Sequence, residues 1–416
     1  MDLKLEKDLP LQVSEKKKKQ VGKILVLGFL SALAPFSMDM YLPSLPVLAA
    51  DLNTSTTAVQ LSITFCLLGL ALGQLIAGPI SDARGRRIPL IIGITIFIIV
   101  SILCVFTTSI VVLCILRLIQ GLAGATGVVI SRATVRDYYS GHEMTKFFAM
   151  LMLVNSMAPI VAPTVGGQVL RFTNWEGIFV ILSILGLAIL LGVIFKLPES
   201  LPLHKRQTGG IKQTLSSMGK MIKDRVFMGY CLSLGLVYAG MFAYISGSPF
   251  VLQDIYGISP QGFGLAFAIN SIGILTASQT SSRLIRKVGE KKILTFGLVQ
   301  AFLAGLVLFI MIQLDIGLIG ILIPLFFVVS SVGLVAPAST SLAMQRQGEN
   351  AGSASAFIGL AQMGLGAIAT PLVGIGGSLT AIPMGTVIAI STFCALIIYI
   401  VLVVSKERGI NNKKSI

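Results

Sequence analysis

From Ala351 to Ser405 the chain reads AGSASAFIGLAQMGLGAIATPLVGIGGSLTAIPMGTVIAISTFCALIIYIVLVVS, a stretch between Glu349 and Lys406 that holds no charged residue. Pro371, Gly374, Gly376, Gly377 and Pro383 punctuate its middle. A helix that crosses a bilayer needs roughly 20 apolar residues, so the stretch reads as two membrane spans and a tight turn. The same reading extends back to residue 24. The 416 residues are 55% hydrophobic and 12% charged, with a mean hydropathy of +0.90, which is more apolar surface than one soluble core hides. No polar stretch is long enough to form a globular soluble domain.

Charge-poor stretches place spans at about 24–45, 57–80, 88–106, 109–131, 146–170, 175–197, 226–249, 260–285, 292–313, 317–344, 351–376 and 380–404. The expected fold class is an all-α integral membrane protein of twelve transmembrane helices in two six-helix bundles, 24–197 and 226–404. A linker (198–225) with Pro198, Pro202, Gly209 and Gly210 joins them, and a basic tail (1–23) and a second tail (405–416) flank them. The basic residues test this count independently. The first tail, the loops near Arg84, Arg136, Arg206, Lys287 and Arg346, and the last tail hold 30 of the 32 lysines and arginines. With twelve spans they all fall on one face, and positive loops are cytoplasmic. The expected location is therefore the inner cell membrane, multi-pass, with both termini cytoplasmic.

The net charge of +15 and pI near 9.7 are spread over seven short segments, so orientation accounts for them and no nucleic-acid partner is implied. The basic run Lys16 to Lys19 anchors topology or touches anionic lipid of the surrounding bilayer. Ala32-Leu33-Ala34 resembles a signal-peptide cleavage site, but Pro35 follows it at once. Cys66, Cys104, Cys114, Cys231 and Cys394 lie in apolar spans without CxxC spacing and read as packing residues. The two histidines, His142 and His204, fall in loops. No metal cluster, cofactor site or catalytic triad is expected, and the chain does not read as an enzyme.

The halves echo each other. Gly78 to Arg87 (GPISDARGRR) closes the second span, and about 204 residues later Ser282 to Lys292 (SRLIRKVGEKK) closes the eighth, after helices bearing Gln74 and Gln279. Paired halves are how secondary transporters build alternating access around a midplane site. Gly78-x-x-x-Asp82-x-x-Gly85-Arg86-Arg87 resembles the loop signature of the major facilitator superfamily between spans two and three. Arg117-x-x-Gln120-Gly121-x-x-Gly124-Ala125 resembles its intramembrane arginine motif. Ala158-Pro159-x-x-Ala162-Pro163-x-x-Gly166-Gly167 is similar to the motif of its drug and proton antiporters, with Ala158 and Ala162 where glycine is common. Ser37-Met38-Asp39-Met40-Tyr41-Leu42-Pro43 and Tyr244-Ile245-Ser246-Gly247-Ser248-Pro249-Phe250 look like the bicyclomycin-resistance (Bcr/CflA) group of multidrug exporters. The resemblance covers essentially the whole chain. It implies proton-coupled efflux of small, partly apolar drugs by a monomer; a dedicated amino-acid, sugar or other metabolite transporter on the same fold is the alternative. A non-transporting sensor would bind without flux.

A charge within the hydrocarbon is costly and usually faces the bundle interior or water. Asp39 and Arg117 are such charges, both in the outer half of the membrane, where a direct or water-bridged pair is feasible. Asp39 either takes the driving proton, tuned by Arg117, or is the structural partner of that arginine. Pro43 and Pro46 kink the first helix or end it. Asp82 is expected to pair with Arg132 or Arg136 and face the start of span eleven near Ser353. It would then gate the cytoplasmic side together with Gly78, Gly85, Arg86 and Arg87, or serve only as a topology determinant. Pro159, Pro163, Gly166 and Gly167 lie on one helical stripe, for ordinary close packing or a barrier to leakage. Tyr41, Gln120, Tyr238, Met241, Phe242, Tyr244, Asn270, Gln279 and Gln362 are candidate substrate contacts in a broad amphipathic cavity, although aromatic residues in spans also simply meet lipid.

Overall fold

The computed structural model describes residues 22, 25–206, 216, 218–347 and 351–406; most of the two tails, the middle of the linker and residues 348–350 lie outside these. Twelve helices among the described residues are long and apolar enough to cross a membrane. In chain order they are α1 (Leu25–Asp51), α2 (Thr56–Arg84), α3 (Arg87–Val105), α4 (Ile110–Tyr138), α5 (Gly141–Val169) and α6 (Glu176–Lys196). After the linker come α7 (Arg225–Ile255), α8 (Pro260–Val288), α9 (Glu290–Gln313), α10 (Leu318–Gln345), α11 (Ala351–Leu372) and α12 (Ile382–Val404).

The helix ends follow local chemistry. The Ser55 hydroxyl accepts from the Ala58 amide at the start of α2, and Ser259 accepts from Gly262 at the start of α8, where Pro260 occupies the first turn. Asp224 caps α7 by accepting from the Val226 and Phe227 amides and also pairs with Arg346 at 3.0 Å. Helix α1 runs six residues past the expected end. Pro43 falls in a 3-10 turn, Leu42–Ser44, and Pro46 in the first turn of the segment Leu45–Asp51, where no intrahelical amide is needed. The two prolines break the helix without ending the span.

Glycines set the closest crossings. A side chain on Gly121 of α4 would strike the Cys66 carbonyl of α2, and one on Gly127 would strike the Leu30 carbonyl of α1. Helix α4 is thus flush against two neighbours in and just after the arginine motif, close packing that only small residues permit. Gly166 meets the Met40 carbonyl at the α1 break, and Gly167 meets the Pro260 carbonyl of α8. Helices of the two halves join along two seams, α2 against α11 and α5 against α8.

Candidate functional site

The seams close on the face away from the Arg84 loop. There Gln60 of α2 donates to the Ser246 carbonyl (3.1 Å), Gln253 of α7 to Pro43 (3.1 Å) and Gln261 of α8 to Gly167 (2.7 Å). Toward the basic face the helices part around a cavity of about 420 Å³, whose walls include Arg132, Thr340 and Ser355 near that face and Asp39, Tyr244 and Ile245 toward the seal.

The cavity is amphipathic. Met38, Met241, Met363, Phe242 and Phe267 supply apolar wall, and Gln74, Asn155, Ser271 and Gln362 supply polar points. Asp39 and Arg132 are its charged groups. Asp39 is 6% exposed, and among the described residues no hydrogen bond or ion pair engages its carboxylate. Tyr244 stacks on Phe267 with ring centroids 5.5 Å apart and accepts from Asn270 at 2.9 Å, so a second layer of side chains holds its ring at the wall.

The expected direct pair of Asp39 with Arg117 is not formed. Arg117 is fully buried behind α1, where its Nη1 donates to the Ser37 carbonyl (3.0 Å) and to Gln120 Oε1 (2.5 Å). Its guanidinium lies 4.8 Å from the Tyr41 ring centroid and 5.8 Å from that of Phe179, within cation–π range. Ser37 begins the turn that carries Asp39, so Arg117 holds the backbone of that turn rather than its carboxylate. Gln120 passes the contact on to Ser101 at 2.7 Å.

Of the nine expected substrate contacts, the cavity wall holds Tyr238, Met241, Phe242, Tyr244 and Gln362. The other four are corrected. Gln120 spends its amide on Arg117 and Ser101. Tyr41 is buried with its hydroxyl on Ser62. Asn270 sits behind Tyr244, and Gln279 of α8 is exposed and is not among the residues lining the cavity, although its counterpart Gln74 is. Gln74, Asn155 and Ser271 were missed. Asn155 and Ser271 stand on the same helix faces as Pro159 and Phe267, a spacing of four that was available.

At the basic face Asp82 bonds Arg86 of its own loop at 2.5 Å, not Arg132 or Arg136. Arg132 turns into the cavity. Since the cavity is open here, Asp82 bridges no gap to α11. Arg86 also grips Asp137 at the end of α4 at 3.0 Å. In the second half the equivalent positions, 51 residues apart in both cases, carry Glu290 accepting from Ser341 at 2.6 Å, with the charge reversed. Glu199, which sequence reasoning passed over, completes this corner. Its carboxylate accepts from the amides of Arg86 (2.8 Å) and Arg87 (3.1 Å), so it caps α3 from beyond α6. Gly85, at φ +89°, leaves room for it: a side chain there would come within 2.5 Å of Glu199 Oε2. Burial pushes the Glu199 carboxyl up, but the amides of Arg86, Leu201 and Arg87 and the Arg206 charge outweigh it and hold the group below its usual range.

Comparison with known proteins places this architecture. The chain is 43% identical over 376 residues to the uncharacterized MFS-type transporter YdgK of Bacillus subtilis strain 168, covering 90% of this chain and 93% of that protein. It is 33% identical over 365 residues to a bicyclomycin resistance protein homolog of Haemophilus influenzae, covering 87% and 91%. The solved nucleoside transporter NupG superposes with a TM-score of 0.72 over 91% of this chain and 98% of that one, at 15% identity, a likeness of fold. The sequence profile of the Major Facilitator Superfamily matches residues 27–371. With that match joined to twelve spans and a cavity between two sealed seams, the chain belongs to the Major Facilitator Superfamily and is a secondary transporter, not an enzyme.

Proposed function

We propose that the protein exports small, partly apolar drugs from the cytoplasm in exchange for protons, each half acting as one unit and a single chain sufficing. The observation that carries this reading is Asp39, a buried carboxylate with no partner among the described residues, in the wall of a cavity whose other charged group is Arg132 and whose remaining lining is mostly apolar, with a few amide and hydroxyl groups. A guanidinium does not deprotonate in proteins, which leaves Arg117 to position α1 and Asp39 to take and release the proton as alternation changes its access to water. The bicyclomycin resistance homolog supports drugs as the cargo and efflux as the direction. The amides of Gln74, Asn155 and Gln362 favour a second reading, a dedicated carrier of one polar metabolite.

The test is uptake into inverted vesicles with an imposed proton gradient, using compounds chosen by a growth-inhibition panel in a host without its own exporters. Asp39→Asn is expected to exchange substrate down its gradient yet lose uphill transport. If the variant still concentrates substrate, the coupling site lies elsewhere. Protection against a single metabolite instead of a spread of drugs would select the second reading.

A further inference from the structure

The prolines of α5 and α11 leave backbone acceptors bare at the seams between the halves. In an α-helix each amide bonds the carbonyl four residues earlier, and proline has no amide. Pro163 therefore withholds a partner from the Pro159 carbonyl, and Pro371 from that of Ala367. Each bare oxygen meets a hydroxyl from the opposite half. Thr64 Oγ1 of α2 donates to Ala367 at 3.3 Å. Ser271 Oγ of α8 lies 3.3 Å from the Pro159 oxygen and 2.9 Å from the Phe267 carbonyl of its own helix, so its single proton is shared between them. Thr64 and Ser271 are both buried.

We propose that Thr64 and Ser271 set how firmly the sealed face closes, by supplying across the seam the donors that Pro371 and Pro163 withhold within their own helices. A backbone carbonyl at membrane depth must find a donor. With the halves together the donor is the other half's hydroxyl; with the halves apart it is water in the opened cleft. Both states satisfy the oxygen, so each pair biases the equilibrium by roughly two- to tenfold, the scale of one net hydrogen bond, and does not lock it. This inference stands on alternation by a secondary transporter, whatever the cargo.

The test needs no substrate. In a cysteine-free background, spin labels replace Phe172 and Leu379, exposed side chains in the α5–α6 and α11–α12 loops of the sealed face, and pulsed dipolar spectroscopy reads their separation. Thr64→Val removes the hydroxyl at nearly constant volume and is expected to raise the share of separated labels about two- to tenfold, while Thr64→Ser stays at the native level. In a Pro371→Ala background the helix's own amide reaches Ala367, and Thr64→Val should then change nothing further. Ser271→Ala, with and without Pro163→Ala, repeats the comparison at the second seam. An equal effect of Thr64→Val in both backgrounds, or none in either, overturns the proposal.

Discussion

Arg117 shows how a buried charge is kept in a membrane bundle without an ion pair. Its guanidinium is spread over a backbone carbonyl, an amide oxygen and two aromatic faces. Arg117→Met fills similar space but leaves the Ser37 carbonyl and Gln120 Oε1 without their donor. The expected loss is about 1.5–3 kcal/mol, the range for hydrogen bonds from a charged group, read as a lower midpoint of thermal unfolding in detergent. Unchanged stability would show that Arg117 does not hold α1. Asp39 was legible as the acidic residue deep in an apolar run, and Arg117 as its basic neighbour in depth. Their separate faces were not. A lipid-embedded helix carries polar residues toward the cavity, a neighbouring helix or lipid headgroups, and composition alone does not say which. Gln279 and Gln74 make the point: they were paired by position, yet one is exposed and the other lines the cavity.

Among the elements, α3 begins badly by its own sequence, with Arg86 and Arg87 at the positive end of its dipole and no side-chain cap of its own. Glu199 supplies the missing anion from 113 residues away. Glu199→Ala is therefore expected to cost about 1 kcal/mol or less, as for loss of an exposed cap, and to speed hydrogen exchange at the amides of Arg86 and Arg87 while the centre of α3 stays protected. The pH dependence follows from the lowered carboxyl. Its contribution is fully present above the ordinary value of 4.5 and is lost as pH falls through the lower value it has when folded. Protection of those two amides, taken as the exchange rate relative to the intrinsic rate at each pH, should fall in acid below about 4.5 and become indifferent to pH over that range in Glu199→Gln. Loss of protection already at neutral pH would contradict the cap. The span limits themselves were readable to within about five residues, except that α4 runs seven residues and α7 six past the expected end, as does α1, by six. There Pro43 and Pro46 looked like a stop, because a proline at a helix break and one in a new first turn leave the same trace in sequence.

At the scale of the molecule the twelve-span fold was fully legible, since hydropathy and the placement of lysine and arginine gave the same count from unrelated physics. That census also predicts orientation: a cysteine at Ser140 should be labelled by impermeant reagents only from the cytoplasm, and one at Asn53 only from outside. Labelling of Asn53 from the cytoplasm would reverse the assignment. What no pattern in the chain announced was the chemistry of the seal. The side chains that cross the seams there, Gln60, Thr64, Gln253 and Gln261 among them, are all uncharged, and all donate to backbone oxygens. These groups bind the same number of protons whether the halves are joined or parted, and by linkage an equilibrium shifts with pH only where that number differs between its states. The hydrogen bonds across this face thus add no dependence on acidity and, having no charge pair to screen, none on the salt of the medium it opens into. Acid sensitivity of the alternation cycle is then expected from titratable groups outside these bonds, Asp39 in the cavity first among them, so on the proposed reading the proton is taken inside the protein and not at the door.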